Sequence, residues 1–185
     1  MTLKSSLARM LCLGLCVFMG CRPAATNSKM ADEMAEWRKQ ERVKNRAMAT
    51  RVQELLRNPE RIELVYLVPD ENYGPPKKKP DVEYFNWWEV TGRRMLTDEE
   101  RHRLVGSLSA DVETHWENGG AMCFEPRHAL RVHGEYSHQE IVLCFKCTQL
   151  WCFEADGTRV KGEAGISRDL NPWLDSLRPA AEPAP

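Results

Sequence analysis

AMCFEPRHALRVHGEYSHQEIVLCFKCTQLWCFE, residues 121–154, is the stretch that decides the fold. Residues 141–153 are rich in β-branched, aromatic and sulfur-containing side chains, which favour strands, and residues 130–133 are a shorter run of the same kind. The polar segment 134–138 between them is suited to a hairpin loop, and Asp156-Gly157 predicts a second hairpin that leads into residues 158–161. The stretch therefore predicts antiparallel strands at the centre of the molecule.

The register of the first hairpin follows from the position of its loop. If the turn is centred near Tyr136, antiparallel pairing joins residues whose numbers sum to about 272. This register sets His128 opposite Cys144 and brings Cys147 close to Cys123. We therefore expect these four side chains on neighbouring strands.

Tetrahedral Zn²⁺ accepts three thiols and an imidazole as ligands. This sequence offers such a set in Cys123, His128, Cys144 and Cys147, so zinc is a candidate cofactor. Residues 141–153 look like one regular strand, which would point Cys144 and Cys147 to opposite faces unless a bulge intervenes. Disulfides, buried thiols and a reactive or redox-active thiol pair are the competing interpretations, and the pattern favours disulfides or buried thiols over zinc. Four cysteines allow three pairings, among which the sequence does not choose.

The sequence assigns no catalytic residue and favours a protein that is not an enzyme. His128 could act as a base toward Cys123 or Cys144, but aromatic neighbours raise the pKa of a thiol and make it a poor nucleophile. Arg127 is instead a candidate contact residue. Trp87 and Trp88 are two more, because adjacent residues of a strand face opposite sides and one of them can be exposed as a stacking platform.

The motif Cys123-Phe124-x-Pro126-Arg127-His128, followed by Cys144-Phe145-x-Cys147, resembles the central block of a family of small, exported bacterial proteins of unknown function. The resemblance covers Arg61 to Leu177. It implies one compact domain and supplies no catalytic roles. One departure is Ala129, which stands where that family often has glycine after the histidine.

Residues 1–20 are predicted to be a signal peptide. They contain Lys4 and Arg9, then the apolar run 10–19, and no acidic residue. Ten apolar residues are too few to span a hydrocarbon core of about 30 Å as a helix. The sequence Phe18-Met19-Gly20-Cys21 resembles the lipobox of bacterial lipoproteins, which implies that Cys21 is acylated and becomes the mature N-terminus. The alternative is cleavage after Ala24-Ala25, which would leave a soluble periplasmic protein.

The rest of the chain is predicted from local signals. Residues 21–58 are a tether and a charged N-terminal helix, residues 59–178 are a single α+β domain, and residues 179–185 are a disordered tail. Within the domain, 62–68 and 82–91 read as strands, with a proline-rich loop between them. Thr97-Asp98-Glu99-Glu100 is a capping box that begins an amphipathic helix, and a final short helix ends near Arg178.

Charge and length limit the function classes. The whole chain has a formal net charge of −1, and without residues 1–20 it keeps 24 Lys and Arg against 27 Asp and Glu, so nothing predicts a nucleic-acid partner. About 120 residues suffice for one core. We therefore expect an antiparallel sheet of about five to six strands with helices on one face, preceded by an N-terminal helix. The expected setting is the cell envelope, facing the periplasm, where the protein contacts the membrane through its N-terminal lipid and serves as a binding or structural module.

Overall fold

A computed structural model describes residues 26–69, 77, 79–118, 123–134 and 138–179. The predicted signal peptide, Cys21 and residues 180–185 of the predicted tail lie outside the described residues. The chain divides into two compact units, Met1–Lys39 and Gln40–Pro185. The boundary falls inside helix α1, Thr26–Leu55.

In the first unit, the described part of α1 exposes its large apolar side chains. Met30, Met34 and Trp37 are all exposed. Lys29 and Glu33 form an ion pair of 3.8 Å one turn apart. No helix among the described residues combines the length and the apolar run that a membrane span requires.

The second unit is α+β and is built on one curled antiparallel sheet of seven strands, close to the five or six predicted. The sheet order is β2-β3-β1-β4-β5-β6-β7. After α1, the elements are β1 Arg61–Leu67, β2 Tyr84–Phe85, β3 Trp88–Met95, α2 Asp98–His115, β4 His128–His133, β5 His138–Cys144, β6 Gln149–Phe153, β7 Ala164–Gly165 and α3 Asn171–Ser176. A short 3-10 turn, Trp116–Asn118, follows α2.

Helices cover one face of the sheet. The end of α1 contributes Met48 and Val52, Leu56 follows directly after it, and α2 contributes its apolar stripe of Leu104, Leu108 and Val112. These side chains pack on every second residue of the strands. Buried examples, one from each of four strands, are Leu64, Leu130, Ile141 and Leu150. Since every second residue of a strand faces the same side, this is the alternation that a two-faced sheet requires.

The opposite face carries a second core, which we call the aromatic cluster: Phe85, Trp87, Trp88, Phe124, Trp151 and Phe153. The curl of the sheet brings Trp87 of the β2–β3 turn within 5.6 Å of Phe153 and 6.3 Å of Trp151 on β6, measured between ring centroids. Phe124 stacks on Trp151 at 3.7 Å. Both faces of the sheet are therefore buried.

The strongest local signals are confirmed. Thr97 Oγ1 accepts from the Glu100 amide at 3.3 Å, and the Glu100 carboxylate accepts from the Thr97 amide at 2.9 Å, which is the predicted capping box of α2. The predicted turn at Asp156-Gly157 is also present, with Gly157 at φ 82. Beyond it, residues 158–161 make only an isolated bridge between Phe153 and Arg159.

Two segments that were each predicted as one strand contain a turn, so those predictions were wrong. Residues 82–91 form a tight β2–β3 hairpin with Asn86 at φ 51, and β3 then runs on through Arg93 to Met95. Residues 141–153 form β5 and β6, which are separated by a turn at residues 145–148 with Thr148 at φ 54. Asparagine tolerates positive φ, whereas threonine rarely adopts it, so only the first turn carries a sequence signal.

The predicted register of the central hairpin was wrong by one residue. His128 pairs with Leu143 rather than with Cys144, and Leu130 pairs with Ile141. Because side chains alternate between faces, a slip of one residue moves a side chain to the opposite face. His128 therefore lies on the helix-covered face with Leu143, while Cys144 belongs to the aromatic cluster's face.

Candidate functional site

The β5–β6 turn is clamped to the segment that precedes β4. A disulfide joins Cys123 to Cys147, with their Cα atoms 6.1 Å apart. Beside it, the Gln149 side-chain amide donates to the Cys123 carbonyl at 2.9 Å, and Gln149 is fully buried. The Arg127 carbonyl accepts from the Leu67 amide at 2.9 Å. These three links fix residues 123–127, which have no regular secondary structure of their own, against the sheet.

The other two cysteines of the domain are buried free thiols. Cys144 Sγ accepts from the Cys147 amide at 3.3 Å, but burial raises the pKa of this thiol. Burial also raises the pKa of Cys152, to about 12. Since the thiolate is the reactive form, neither cysteine is prepared to act as a nucleophile at neutral pH.

The four candidate zinc ligands do not come together as the sequence suggested. Cys123 and Cys147 are bonded to each other, Cys144 lies beside them, and the corrected register places His128 on the other face of the sheet. Within the described ranges, no group of three or more His, Cys, Asp or Glu side chains is arranged to hold a metal ion. The arrangement fits a disulfide with a neighbouring thiol better than a tetrahedral metal centre.

His128 is fully buried between two aromatic rings. Tyr66 and Phe145 meet it edge to face, with ring centroids 5.6 and 5.7 Å away. Its Nε2 lies 3.2 Å from Asp175 Oδ1, without the alignment of a full hydrogen bond, and Nδ1 has no hydrogen-bond partner among the described residues. Burial outweighs the attraction of Asp175 and lowers the pKa of His128 to about 4. The imidazole is therefore neutral at pH 7, and its position fits packing rather than proton transfer.

The lowered pKa of His128 gives a testable pH dependence. Because the folded pKa is about 4 and the ordinary value is 6.5, the unfolded chain takes up the proton first as the pH falls. We expect the free energy of unfolding to decrease by about 2 kcal/mol more in the wild type than in His128→Gln between pH 7 and pH 5. Urea unfolding at the two pH values measures this difference. His133, whose pKa is also lowered by burial, is present in both proteins and cancels in the comparison. Equal slopes with pH would contradict the assignment.

Arg127 lines a cleft next to the segment that the disulfide fixes. The cleft has a volume of about 340 Å³ and is lined by Glu125, Arg127, Phe145, Lys146, Arg168, Asn171 and Pro172. The Lys146 ammonium pairs with the Glu125 carboxylate. Arg168 donates to the Lys146 carbonyl at 3.0 Å, and its guanidinium has no acidic partner among the described residues. Arg127 is exposed, and no other described residue forms a hydrogen bond or an ion pair with its guanidinium.

A second group of charged side chains lies on the aromatic cluster's face, and its members neutralise one another. Arg131 bonds Glu63 at 3.0 Å and Glu140 at 2.9 Å, and Arg93 bonds Glu83 at 3.0 Å. Asn86 adds a bond of 2.7 Å to Glu140, which is 7% exposed. Every charge in this group has a partner, so it stabilises the sheet and leaves no charge to attract a ligand.

The sequence identified Arg127 in the cleft but missed Lys146 and Arg168. Lys146 lies in a turn that looked like the middle of a strand, and Arg168 belongs to the loop before α3. The tertiary bond from Arg168 to the Lys146 carbonyl brings the two together. No local pattern marks residues 22 positions apart as neighbours, so only the fold could show this cleft.

The two tryptophans proposed as a contact surface lie in the aromatic cluster. Trp88 is 1% exposed and packs 5.7 Å from Phe124 between ring centroids. Trp87 is half-buried and lies edge to face on Phe153. Their surroundings are those of core side chains, and Trp87 alone keeps part of its ring accessible.

Comparisons with known proteins leave the family open. No family model matches the sequence, and neither a curated protein nor a solved structure shows a significant match. The resemblance of the cysteine block to small exported bacterial proteins remains a prediction.

Proposed function

We propose that this protein is a lipid-anchored module of the bacterial cell envelope that binds a ligand in the cleft at Arg127. Its membrane contact is the lipid on Cys21, and the body faces the periplasm. The cleft is the observation that supports a binding role most directly, because Arg127 and Arg168 bring charges that no described carboxylate neutralises. Small-molecule sites have volumes of roughly 300–1,000 Å³, and this cleft falls at the lower end of that range.

The state of the reactive side chains supports binding over catalysis. His128 is neutral and enclosed by Tyr66 and Phe145, so it has no accessible proton to exchange at pH 7. Burial raises the pKa of both free thiols. General acids, bases and nucleophiles work best with a pKa near the working pH. The cations that line the cleft are suited to hold a ligand instead.

The anchor makes a prediction about the mature N-terminus. We expect mass spectrometry of the protein from its native host to find Cys21 as the first residue, with an added acyl mass, in the membrane fraction. Several acyl chains hold such a protein firmly, because each buried methylene contributes about 0.8 kcal/mol. Cys21→Ser should abolish the acyl mass and the membrane association, since the acyl acceptor is lost.

Cys12→Ser and Cys16→Ser are matched controls, because both cysteines lie inside the predicted leader and should leave processing unchanged. An intact chain with Met1 present and no acyl mass would refute the anchor. A first residue just after Ala24-Ala25 would support the soluble periplasmic alternative.

A thiol or metal site is the second candidate function. The observation in favour of a redox role is that the free thiol of Cys144 lies next to the Cys123–Cys147 disulfide. The Cys144 thiolate could attack the Cys147 sulfur, which would form a Cys144–Cys147 bond and release Cys123 as a thiolate. Burial of Cys144 opposes this step, which is why it ranks second. Zinc analysis of the purified protein, together with mapping of the disulfide by peptide mass, tests both forms of this candidate.

A further inference from the structure

The cleft at Arg127 has the charge of an anion site. Three of its lining side chains are cationic and one is a carboxylate. That carboxylate, on Glu125, is already paired with Lys146. Two guanidinium groups, on Arg127 and Arg168, are left without an acidic partner among the described residues. The local excess of positive charge exists although the whole chain has a formal net charge of −1.

Arginine selects oxyanions by geometry as well as by charge. Its planar guanidinium presents five N–H donors and bonds carboxylate or phosphate oxygens in pairs. The Arg168 bond to the Lys146 carbonyl occupies one nitrogen and holds the side chain in place. The Arg127 backbone is held by the bond from Leu67, and the disulfide fixes the segment on which it stands. Such constraint reduces the entropy lost when a ligand is bound.

The volume and the apolar wall set the size of the ligand. Phe145 and Pro172 form an apolar part of the lining, and Phe145 is 6% exposed and contacts the His128 ring edge to face. A water molecule takes about 30 Å³, so 340 Å³ has room for a molecule of on the order of ten non-hydrogen atoms. This is larger than a single inorganic oxyanion, and it suits an anionic group attached to a small apolar body.

We propose that the cleft binds a small organic anion through its carboxylate or phosphate group, with Arg127 and Arg168 as the oxyanion ligands and Phe145 against the apolar part. The inference rests on the proposed binding function and names the chemistry of the ligand. Arg127 supplies a charge that no described residue pairs, and Arg168 supplies one that is already positioned. Lys146 contributes less, because Glu125 holds its ammonium.

Four probes test this chemistry on the full-length protein. Protein from the membrane fraction is purified in non-ionic detergent. Benzoate and phenyl phosphate carry the two oxyanions on one apolar ring, benzamide is the neutral match of benzoate, and inorganic phosphate lacks the ring. We expect benzoate or phenyl phosphate to shift the amide NMR signals of Lys146 and Arg168 saturably. Benzamide should leave them unchanged, and inorganic phosphate should bind more weakly than phenyl phosphate. The aromatic anion with the lower Kd shows whether the cleft prefers a carboxylate or a phosphate group.

Charge-neutralising variants test the residues. Arg127→Gln and Arg168→Gln should each raise the Kd of the better aromatic anion about tenfold or more, since hydrogen bonds to a charged group contribute about 1.5–3 kcal/mol. Arg57→Gln is the matched control, because Arg57 is exposed and lies outside the lining of this cleft. It should keep the wild-type Kd. All three substitutions are at exposed positions, and circular dichroism verifies that each variant is folded.

The possible results separate this inference from the proposed location. Equal shifts with benzamide, no saturable shift with either aromatic anion, or an unchanged Kd in both arginine variants would overturn the anion site. The processing of Cys21 is measured independently by mass, so a missing anchor would overturn the assigned location and leave the anion result standing.

Discussion

Replacing Trp88 with alanine is expected to lower the free energy of unfolding by about 3–5 kcal/mol, the range typical of a large aromatic side chain removed from a core. Trp88 is 1% exposed, and its ring meets Phe124, Trp151 and Phe153 at centroid distances of 5.7 to 6.3 Å. These partners come from two separate segments, the one before β4 and strand β6, so the neighbours cannot collapse into the cavity without moving the sheet. Urea unfolding followed by circular dichroism measures the loss without relying on tryptophan fluorescence.

Trp87→Ala is the matched comparison, because it removes the same side chain from the neighbouring position. Trp87 is only half-buried, so its removal leaves a smaller cavity and should cost clearly less than the removal of Trp88. Equal losses for the two variants would show that the aromatic cluster is not organised around Trp88. A loss below about 1 kcal/mol for Trp88→Ala would mean that this face of the sheet is not a true core.

The parts of the fold that the sequence predicted correctly are those with a local cause. The capping box needs only Thr97 and Glu100, which lie three positions apart in one turn, and the turn at Asp156-Gly157 is just as local. Strand β1 is short and rich in apolar residues, and α2 shows its buried stripe at helical spacing. Each signal lies within a few residues, so no tertiary knowledge is needed to interpret it.

The candidate site could not be predicted because it depends on two turns that carry weak signals. The β5–β6 turn contains Thr148 at positive φ instead of glycine or asparagine, so it looked like strand. The pairing of β4 with β5 differs from the expected register by one residue, which puts His128 and Cys144 on opposite faces. The one-residue difference in register thus separates the candidate zinc ligands into a buried histidine on one face and a disulfide on the other.

The Cys123–Cys147 disulfide is expected to be the covalent support of the site, and removing it should lower the free energy of unfolding by about 3 kcal/mol. The bond closes a loop with a sequence separation of 24, and it restricts the unfolded chain accordingly. Cys123→Ala combined with Cys147→Ala is the variant to measure. Adding a reductant to the wild type should produce nearly the same loss, whereas the double variant should not respond to the reductant.

Cys152→Ala provides the control for this experiment, because Cys152 is a buried free thiol whose removal deletes one sulfur atom and no cross-link. Its unfolding should remain as sensitive to the reductant as that of the wild type. If the reductant leaves the wild type unchanged while a chelator unfolds it, the sulfurs hold a metal and the disulfide assignment fails. If the double variant is as stable as the wild type, two hydrogen bonds hold the segment before β4 without the cross-link: Gln149 Nε2 to the Cys123 carbonyl and the Leu67 amide to the Arg127 carbonyl. The cleft at Arg127 then does not need the disulfide to keep its shape.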